Sequence, residues 1–427
     1  MKLLKMDLIL KNVVVFDPNS DFHNQNTCIL IQQGIIMNIG EFEFPEGVSV
    51  VDCNGAYASP GWFDIGTRLC EPGLESIDDI DSLSASACQG GFTELAVFSN
   101  TNPVIDNRSL VESLVSKNKD TVVTLYPIGA LTKSNNGIEI SEMYDMVEGG
   151  AIAFSDGKIP VSHAGVLSRA LKYTSQLGVR ILNHPEDYTI SESGIINESE
   201  VSVELGVKGR PVLAESVMLR RDISLAEYND TPIISHLISS SESVEIIKEA
   251  KKKNIDVSAT VSYHNIISDE NVLKDFDPMH KVLPPLRGKK DKDALLKAVK
   301  SDIIDAIVSN HYPLDVEDKK KAFYDAKYGA LGLENMFGSL NKYIGDKIEK
   351  EKLIDKISNG PRRILGLNIV SVSKGEPANL TLFNFDEEYE FKSSMIKSKS
   401  SNSPFIGTIL KGKVIGIYNN NRLHINK

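Results

Sequence analysis

The stretch PIISHLISSSESVEIIKEAKKKNIDVSATV, residues 232–261, indicates the fold. It opens with PIISH and closes with IDVSATV, two short apolar runs rich in β-branched residues, which are typical of strands. Between them, SESVEIIKEAKKK has the spacing of a helix with Val244, Ile247 and Ala250 on one face. A strand, a helix and a second strand in this order predict a parallel βαβ unit.

The same alternation extends in both directions from this stretch and starts just after Pro60. It gives eight apolar runs: WFDI at Trp62, TELAVF at Thr93, VVTLYPIG at Val122, AIAF at Ala151, VRILN at Val179, PIISH at Pro232, IDVSATV at Ile255 and IIDAIVS at Ile303. Eight such units that close on themselves predict an α/β protein with a (β/α)8 TIM barrel. An open doubly wound sheet is the rival fold, but no glycine-rich phosphate loop follows the first strand.

Both chain ends have a different pattern, with short strands separated by turn residues. Examples are ILIQQGIIMNIGE near the start and GTILKGKVIGIYNNNRLHI near the end. Neither end has enough strands to bury a core alone. We therefore predict that residues 1–55 and 375–427 pair into one small β-sandwich beside a barrel of residues 56–374. The serine-rich residues 392–405 are predicted to form a loop inside that sandwich unit.

Composition excludes several classes of protein. The 427 residues carry a net charge of −11 with dispersed acids, which argues against nucleic acid as a partner. No run of about 18 apolar residues occurs, so no membrane span is expected. The 4 cysteines lie far apart without a CxxC pair, which favours a reducing cytoplasm. The triple-lysine runs at 251–253 and 319–321 are predicted to be solvated helix faces.

Chemistry in such a barrel takes place at the carboxyl ends of the strands. Polar residues follow several of the predicted strands at that end. They are Asp64 and Arg68 after the first strand, Asn100 after the second, Asp156 after the fourth, His184 after the fifth, His236 after the sixth, and Asn310 with His311 after the eighth.

The order and spacing of these residues resemble the dihydroorotases of the amidohydrolase superfamily, in the class that associates with aspartate carbamoyltransferase. The resemblance covers nearly the whole chain and includes SNTNPVIDN, YPIGALTK, PVLAESVMLRRDISLAE, KVLPPLR, PRRILGL and SNSPFIGTILKGKV. Members of that family open and close the dihydroorotate ring with divalent metal at the barrel mouth. The resemblance therefore implies a cyclic amidohydrolase of pyrimidine biosynthesis.

The resemblance also assigns metal positions. Asp156 matches the family's bridging aspartate, and His184 and His236 match two histidine ligands. The family's first strand ends in D-x-H-x-H with two further histidine ligands, and here those positions hold Gly66 and Arg68. The aspartate that binds metal and acts as general base is replaced by Asn310.

The substrate side differs as well. Asn100 matches an asparagine that helps to bind substrate. The family's arginine that holds the substrate carboxylate is replaced by Cys70, and an asparagine and a histidine that contact substrate are replaced by Leu283 and Leu314. Charge-assisted hydrogen bonds contribute about 1.5–3 kcal/mol each, so affinity for dihydroorotate is expected to fall steeply.

These replacements predict a catalytically inactive homologue without a cofactor. An amide at Asn310 has no basicity to relay a proton. The cation of Arg68 repels a metal ion, and we expect it to form an ion pair with Asp156 instead. The alternative is a hydrolase of altered substrate with a single zinc on Asp156, His184 and His236. A third reading is a small-molecule sensor in which Arg68 and Asn100 bind an anion.

The function expected from the sequence is thus a structural or regulatory one. The resemblance implies aspartate carbamoyltransferase as the partner, in an oligomer and in the cytoplasm. Neither a nucleic acid nor a membrane is expected as a partner.

Overall fold

The computed structural model describes residues 7–119 and 121–426; the predicted sandwich residues 1–6 and 427 lie outside these ranges. Its strands are β1 Leu8–Val15, β2 Asn26–Gln32, β3 Ile35–Gly40, β4 Ser49–Asp52, β5 Tyr57–Pro60, β6 Trp62–Thr67, β7 Phe92–Val97, β8 Thr124–Gly129, β9 Ala153–Phe154, β10 Arg180–Asn183, β11 Ile196–Asn197, β12 Gly209–Arg210, β13 Ile233–Ser235, β14 Val257–Ser262, β15 Ala306–Val308, β16 Leu380–Glu390, β17 Ile409–Asn419 and β18 Arg422–Ile425.

Helices follow most of the barrel strands. They are α1 Ile80–Gly90, α2 Arg108–Lys117, α3 Met143–Glu148, α4 Ala164–Leu177, α5 Tyr188–Ser191, α6 Glu200–Glu204, α7 Val212–Asn229, α8 Ser241–Lys252, α9 Tyr263–Ile267, α10 Lys289–Lys300, α11 Val316–Lys319, α12 Met336–Ile344, α13 Lys350–Ile357 and α14 Asn359–Leu365. None of the helices in these described ranges is long and apolar enough to cross a membrane.

The barrel sheet has the strand order β6, β7, β8, β9, β10, β13, β14, β15, and its consecutive pairs are parallel. All eight strands overlap the predicted runs, so the predicted (β/α)8 barrel is confirmed. The first and last strands meet through Asp64, whose carboxylate accepts hydrogen bonds from the backbone N–H (2.7 Å) and hydroxyl (2.6 Å) of Ser309. The interior of the barrel is filled by buried side chains such as Phe63, Ile128 and Val308.

The chain ends form a second eight-stranded sheet with the order β18, β17, β16, β5, β1, β2, β3, and with β4 paired to β1. Antiparallel pairing of β16 with β5 joins the two ends directly. The β domain made from both chain ends is therefore confirmed; β5, which lies past residue 55, is one of its strands. The domain boundaries remain predictions.

The serine-rich loop at residues 392–405 connects β16 and β17, but it packs on the barrel. Ser400 Oγ donates to the carbonyl oxygen of Leu314 (2.7 Å), and Asn402 Nδ2 donates to that of Tyr312 (2.9 Å). The β domain thus supports the loop that follows the last barrel strand.

Candidate functional site

The carboxyl ends of the barrel strands are here called the barrel mouth. The first of these strands, β6, is irregular at Gly66 near its carboxyl end. The pairing of β6 with β7 shifts register between Ile65 and Thr67, and Gly66 has φ of +82°. A Cβ atom at Gly66 would lie 2.6 Å from Nε2 of His236 and 2.8 Å from Cζ of Phe98. His236 and Phe98 therefore fill the space beside Gly66, the position that the resemblance matches to a metal-binding histidine.

His236 itself is buried and fixed by a neighbouring strand. Its Nδ1 lies 2.9 Å from Oγ1 of Thr260 in a hydrogen bond, and its ring packs edge-on against Phe98. Burial lowers the pKa of His236 well below its ordinary value, and the nearby His184 and Lys158 act in the same direction. The imidazole is therefore neutral at physiological pH.

His184 lies beside His236 and next to a buried ion pair. Its Nδ1 is 3.3 Å from the carbonyl oxygen of His236, and its Nε2 is 3.5 Å from Oε2 of Glu186. Glu186 is in turn paired with Arg210 at 2.6 Å. Burial would raise the pKa of Glu186, but His184 and Arg210 outweigh it and lower the pKa to about 2.

Asp156 is buried and its carboxylate is held by one neighbour. Thr132 donates both its backbone N–H (2.9 Å) and its hydroxyl to the two carboxylate oxygens. Burial still raises the pKa of Asp156 to about 6. Asn100 donates its Nδ2 to the backbone oxygen of Asp156 (3.1 Å). These contacts hold the loop after β9 against the loop after β7.

Asn310 is bound to the backbone of the opposite loop. Its Nδ2 donates to the carbonyl oxygen of Leu283 (3.1 Å), while its buried Oδ1 has no hydrogen-bond partner among the described residues. The residue has φ of +50°, in the left-handed region. The side chain at the position of the family's general base is therefore a donor to protein backbone.

Arg68 turns away from Asp156, so the predicted ion pair between them is wrong. Its Nη1 donates to the carbonyl oxygen of Pro313, and its guanidinium lies 4.4 Å from the centroid of the Tyr312 ring. Among the described residues, neither Arg68 nor Asp156 takes part in a salt bridge. The hydrogen bonds from Thr132 satisfy Asp156 instead.

A cavity of about 670 Å³ opens at the barrel mouth. Its lining includes three replaced positions, Arg68, Leu283 and Leu314. Within the described part of the chain, its lining does not include Asn100, Asp156, His184 or His236. The four positions that match family residues are thus covered, whereas three of the replaced positions face the open space.

Lys158 also lines this mouth cavity, and sequence reasoning did not single it out. Its Nζ lies 4.6 Å from the centroid of the Tyr312 ring, on which Arg68 also packs. Burial, together with the charges of Arg68 and Lys319, lowers the pKa of Lys158 to about 7. The available signal was a basic residue two positions beyond Asp156, at the end of a barrel strand.

The lysine run at 319–321 is only partly a solvated face, and the prediction for Lys319 is wrong. Lys319 is 3% exposed and donates to the backbone oxygens of Pro278 (2.7 Å) and Lys281 (3.1 Å). Burial lowers the pKa of Lys319 to about 7. Its ammonium group is therefore held by backbone oxygens below the surface rather than on a solvated helix face.

The residues present do not fit a pair of divalent metal ions. Gly66 supplies no donor atom, and a Cβ atom there would meet His236 and Phe98, while each carboxylate oxygen of Asp156 already accepts a hydrogen bond from Thr132. In residues 7–119 and 121–426, no three His, Cys, Asp or Glu side chains are grouped so that they could hold a metal ion. Nε2 of His184 faces Oε2 of Glu186 at 3.5 Å, and Glu186 is itself paired with Arg210, so this carboxylate is already engaged by two basic groups.

Cys70 is buried, and burial raises the pKa of its thiol to about 11. A protonated thiol cannot replace the arginine that holds the substrate carboxylate in the family. Leu283 and Leu314 make the adjoining wall of the mouth cavity apolar.

Comparison with known proteins gives one consistent family. A family model described as dihydro-orotase-like matches residues 56–243. The dihydroorotase of Ruminiclostridium cellulolyticum is 36% identical over 411 residues, which cover 96% of each chain. The dihydroorotase of Acetivibrio thermocellus is 35% identical over 411 residues, or 95% of this chain and 96% of its own.

Among solved structures, an L-hydantoinase from Arthrobacter aurescens has a TM-score of 0.85, covering 99% of this chain and 96% of its own. At 21% identity, this likeness shows the fold alone. The two dihydroorotases, in contrast, are similar in sequence along nearly the whole chain. On that similarity, the chain belongs to the dihydroorotase family of cyclic amidohydrolases.

Proposed function

We propose that this chain is a non-catalytic member of the dihydroorotase family that acts as a structural or regulatory partner of aspartate carbamoyltransferase. The observation that carries the proposal is the packing at Gly66, where His236 and Phe98 fill the space of a metal ligand. Metal-assisted hydrolysis needs a bound water whose pKa falls from about 15.7 to about 7. Residues 7–119 and 121–426 contain no group of three His, Cys, Asp or Glu side chains that could hold the metal for such a water.

Two further features support the loss of turnover. Asn310 cannot accept a proton, because an amide is not basic at neutral pH, and its Nδ2 is bound to Leu283. The polar groups that would hold substrate are replaced on the cavity wall by Leu283 and Leu314. The metal-bound water, the carboxylate base and the substrate contacts that the family resemblance implies are therefore lost together.

The proposal of aspartate carbamoyltransferase as the partner is based on the family resemblance. The class that this chain resembles associates with aspartate carbamoyltransferase, and an intact barrel with an inactive mouth suits a subunit kept for assembly. Pyrimidine synthesis in the cytoplasm is the process we assign to it.

Turnover of dihydroorotate by the purified chain, with added zinc, tests the inactivity. We expect no hydrolysis above the background rate. The Ruminiclostridium cellulolyticum dihydroorotase, assayed in parallel, is the positive control. Ring opening that scales with the concentration of this chain, and that a chelator abolishes, would overturn the proposal.

The partner is tested separately by mixing the chain with the aspartate carbamoyltransferase of its own organism. We expect one complex in size-exclusion chromatography and analytical ultracentrifugation at micromolar concentration. Two proteins that sediment independently would contradict the regulatory role without affecting the assignment of inactivity.

A further inference from the structure

The mouth cavity is rich in cations, although the whole chain is acidic. Its lining contains Arg68, Lys158, Arg210, Lys281 and Lys327, against two acids, Glu192 and Asp318. The chain as a whole has a net charge of −11. A concentration of positive charge in a concave site of an acidic protein favours binding of an anion there.

Three of these cations already have partners within the protein. Arg210 is paired with Glu186, and Lys327 Nζ lies 2.9 Å from Asp318. Lys281 donates to two backbone oxygens of the loop at residues 323–324. Their charges are committed to holding the cavity walls.

The other two lining cations are Arg68, which donates a single hydrogen bond to the backbone oxygen of Pro313, and Lys158. Within the described residues, neither takes part in a salt bridge, and Lys158 Nζ donates no hydrogen bond. Both pack on the Tyr312 ring at 4.4 and 4.6 Å from its centroid, which limits their separation to about 9 Å. Neither group has a carboxylate partner among the described residues, so an anion that enters the cavity would meet two basic groups not yet paired with an acid.

The backbone around Lys158 is also fixed. Tyr188 donates its hydroxyl to the backbone oxygen of Lys158 (2.6 Å), and Arg68 is bound to the Pro313 carbonyl. The fold therefore places the guanidinium of Arg68 and the backbone that carries Lys158, and the ring of Tyr312 contacts both side chains. A preorganised cation pair loses little entropy when it binds a ligand.

We propose that the mouth cavity binds a small organic dianion, with its negatively charged oxygens between Arg68 and Lys158 and its carbon skeleton against Leu283 and Leu314. A dicarboxylate and a phosphate ester share this chemistry. The inference rests on the proposed non-catalytic function, because Arg68 stands where the family has a metal ligand. The ligand would regulate the chain instead of being converted by it.

Calorimetric titration of protein passed over a chelating resin tests this inference. Malonate and succinate probe the dicarboxylate, inorganic phosphate probes the phosphoryl group, and acetate at matched ionic strength is the control. We expect at least one dianion to bind with a stoichiometry of one and acetate not to bind. A preference for malonate or succinate identifies a dicarboxylate, and a preference for phosphate identifies a phosphate ester.

Substitutions locate the site. R68Q and K158Q should each weaken binding about tenfold or more, because each removes one charge-assisted contact. K327Q is the matched control, since Lys327 lines the same cavity but is paired with Asp318; it should change the affinity less than about threefold. Far-ultraviolet circular dichroism of each variant checks that it is folded.

Absence of binding by every dianion, or equal binding by R68Q, K158Q and the unmodified chain, would overturn the inference. Dihydroorotate turnover, measured on the same preparation, reports on the proposed function separately. A chain that hydrolyses dihydroorotate refutes inactivity, whereas an inactive chain that binds no dianion refutes only the anion site.

Discussion

The backbone at Gly66 has φ of +82°, and the side chains of His236 and Phe98 occupy the space beside its Cα. Replacement by alanine forces both an unfavourable backbone conformation and a contact of 2.6 Å with Nε2 of His236. We expect G66A to lower the free energy of unfolding by about 2–4 kcal/mol, the sum of a left-handed alanine and an overpacked core. Urea denaturation gives this difference.

Gly178 supplies the matched control for that experiment. It has φ of +67° at the end of α4, but no atom lies within 4 Å of the place that a Cβ atom would take. G178A should therefore cost only the backbone penalty of about 1 kcal/mol. Equal losses in the two variants would show that the space at Gly66 is open, contrary to the account of a filled ligand position.

The thiols give a second prediction for single residues. Burial raises the pKa of Cys53 to about 12, of Cys70 to about 11 and of Cys88 to about 12, whereas Cys28 is half-buried. At pH 8 we expect at most one thiol to react rapidly with Ellman's reagent in the native protein, and 4 after unfolding in guanidinium. C28S should remove the rapid phase, and C70S should leave it unchanged.

The sequence predicts which residue occupies each site position, but it does not predict side-chain contacts with residues that are distant in the sequence. The replacement of a metal ligand by Gly66 is visible in the sequence, but the filling of its space by Phe98 and His236 depends on two other strands. Likewise, the direction of Arg68 is decided by Tyr312 and Pro313, which lie far away in sequence. The ion pair with Asp156 was the wrong expectation for that reason.

Among the helices, α1 begins with a capping box formed by Asp79 and Ser82. Asp79 accepts a hydrogen bond from the backbone N–H of Ser82 (2.8 Å), while Ser82 Oγ accepts one from the backbone N–H of Asp79 (3.0 Å). Burial raises the pKa of Asp79, but Lys399 and Ser82 outweigh it and lower the pKa to about 2. A pKa below the unfolded value of 3.8 means that the ionised form stabilises the folded state above about pH 4.

We therefore expect D79A to reduce the free energy of unfolding by about 1 kcal/mol at pH 7, and by less as the pH falls from 4 towards 2. Urea midpoints at pH 7 and pH 3 measure the difference. D81A, in the same first turn but without a capping role, should cost less than about 0.5 kcal/mol. A loss from D79A that is the same at both pH values would contradict this role for the carboxylate.

The strands show which elements sequence reasoning can find. Every predicted barrel run contains a strand because β-branched apolar runs are local signals, although AIAF contributes only Ala153–Phe154. The serine-rich loop was placed correctly between two strands of the β domain, but its hydrogen bonds to Leu314 and Tyr312 could not be predicted. Such contacts depend on how the two ends of the chain meet the barrel.

At the scale of the whole molecule, one large hydrophobic cluster spans the barrel and the β domain, although the β domain also has a cluster of its own that includes Leu10 and Ile29. The only tryptophan, Trp62, is fully buried and contacts Phe337 of α12 and Phe383 of β16. We expect the two units to unfold together, with coincident urea transitions in tryptophan fluorescence and far-ultraviolet circular dichroism.

Neighbouring residues of β17 provide a matched pair for this claim. Leu410 is fully buried, whereas Ile409 is 47% exposed. L410A should lower the free energy of unfolding by about 2–5 kcal/mol and shift both transitions equally, and I409A should shift them by much less. Two separate transitions, of which L410A moves only one, would show that the β domain unfolds independently.

We propose that this barrel mouth has lost the metal site of its family, and the metal content of the protein decides whether it has. Zinc is quantified by mass spectrometry after expression with added zinc and purification without chelators. The Ruminiclostridium cellulolyticum dihydroorotase, prepared in parallel, controls for metal loss during purification. We expect well below one zinc ion per chain, whereas two zinc ions per chain with anomalous diffraction peaks beside His184 and His236 would show that the site is intact.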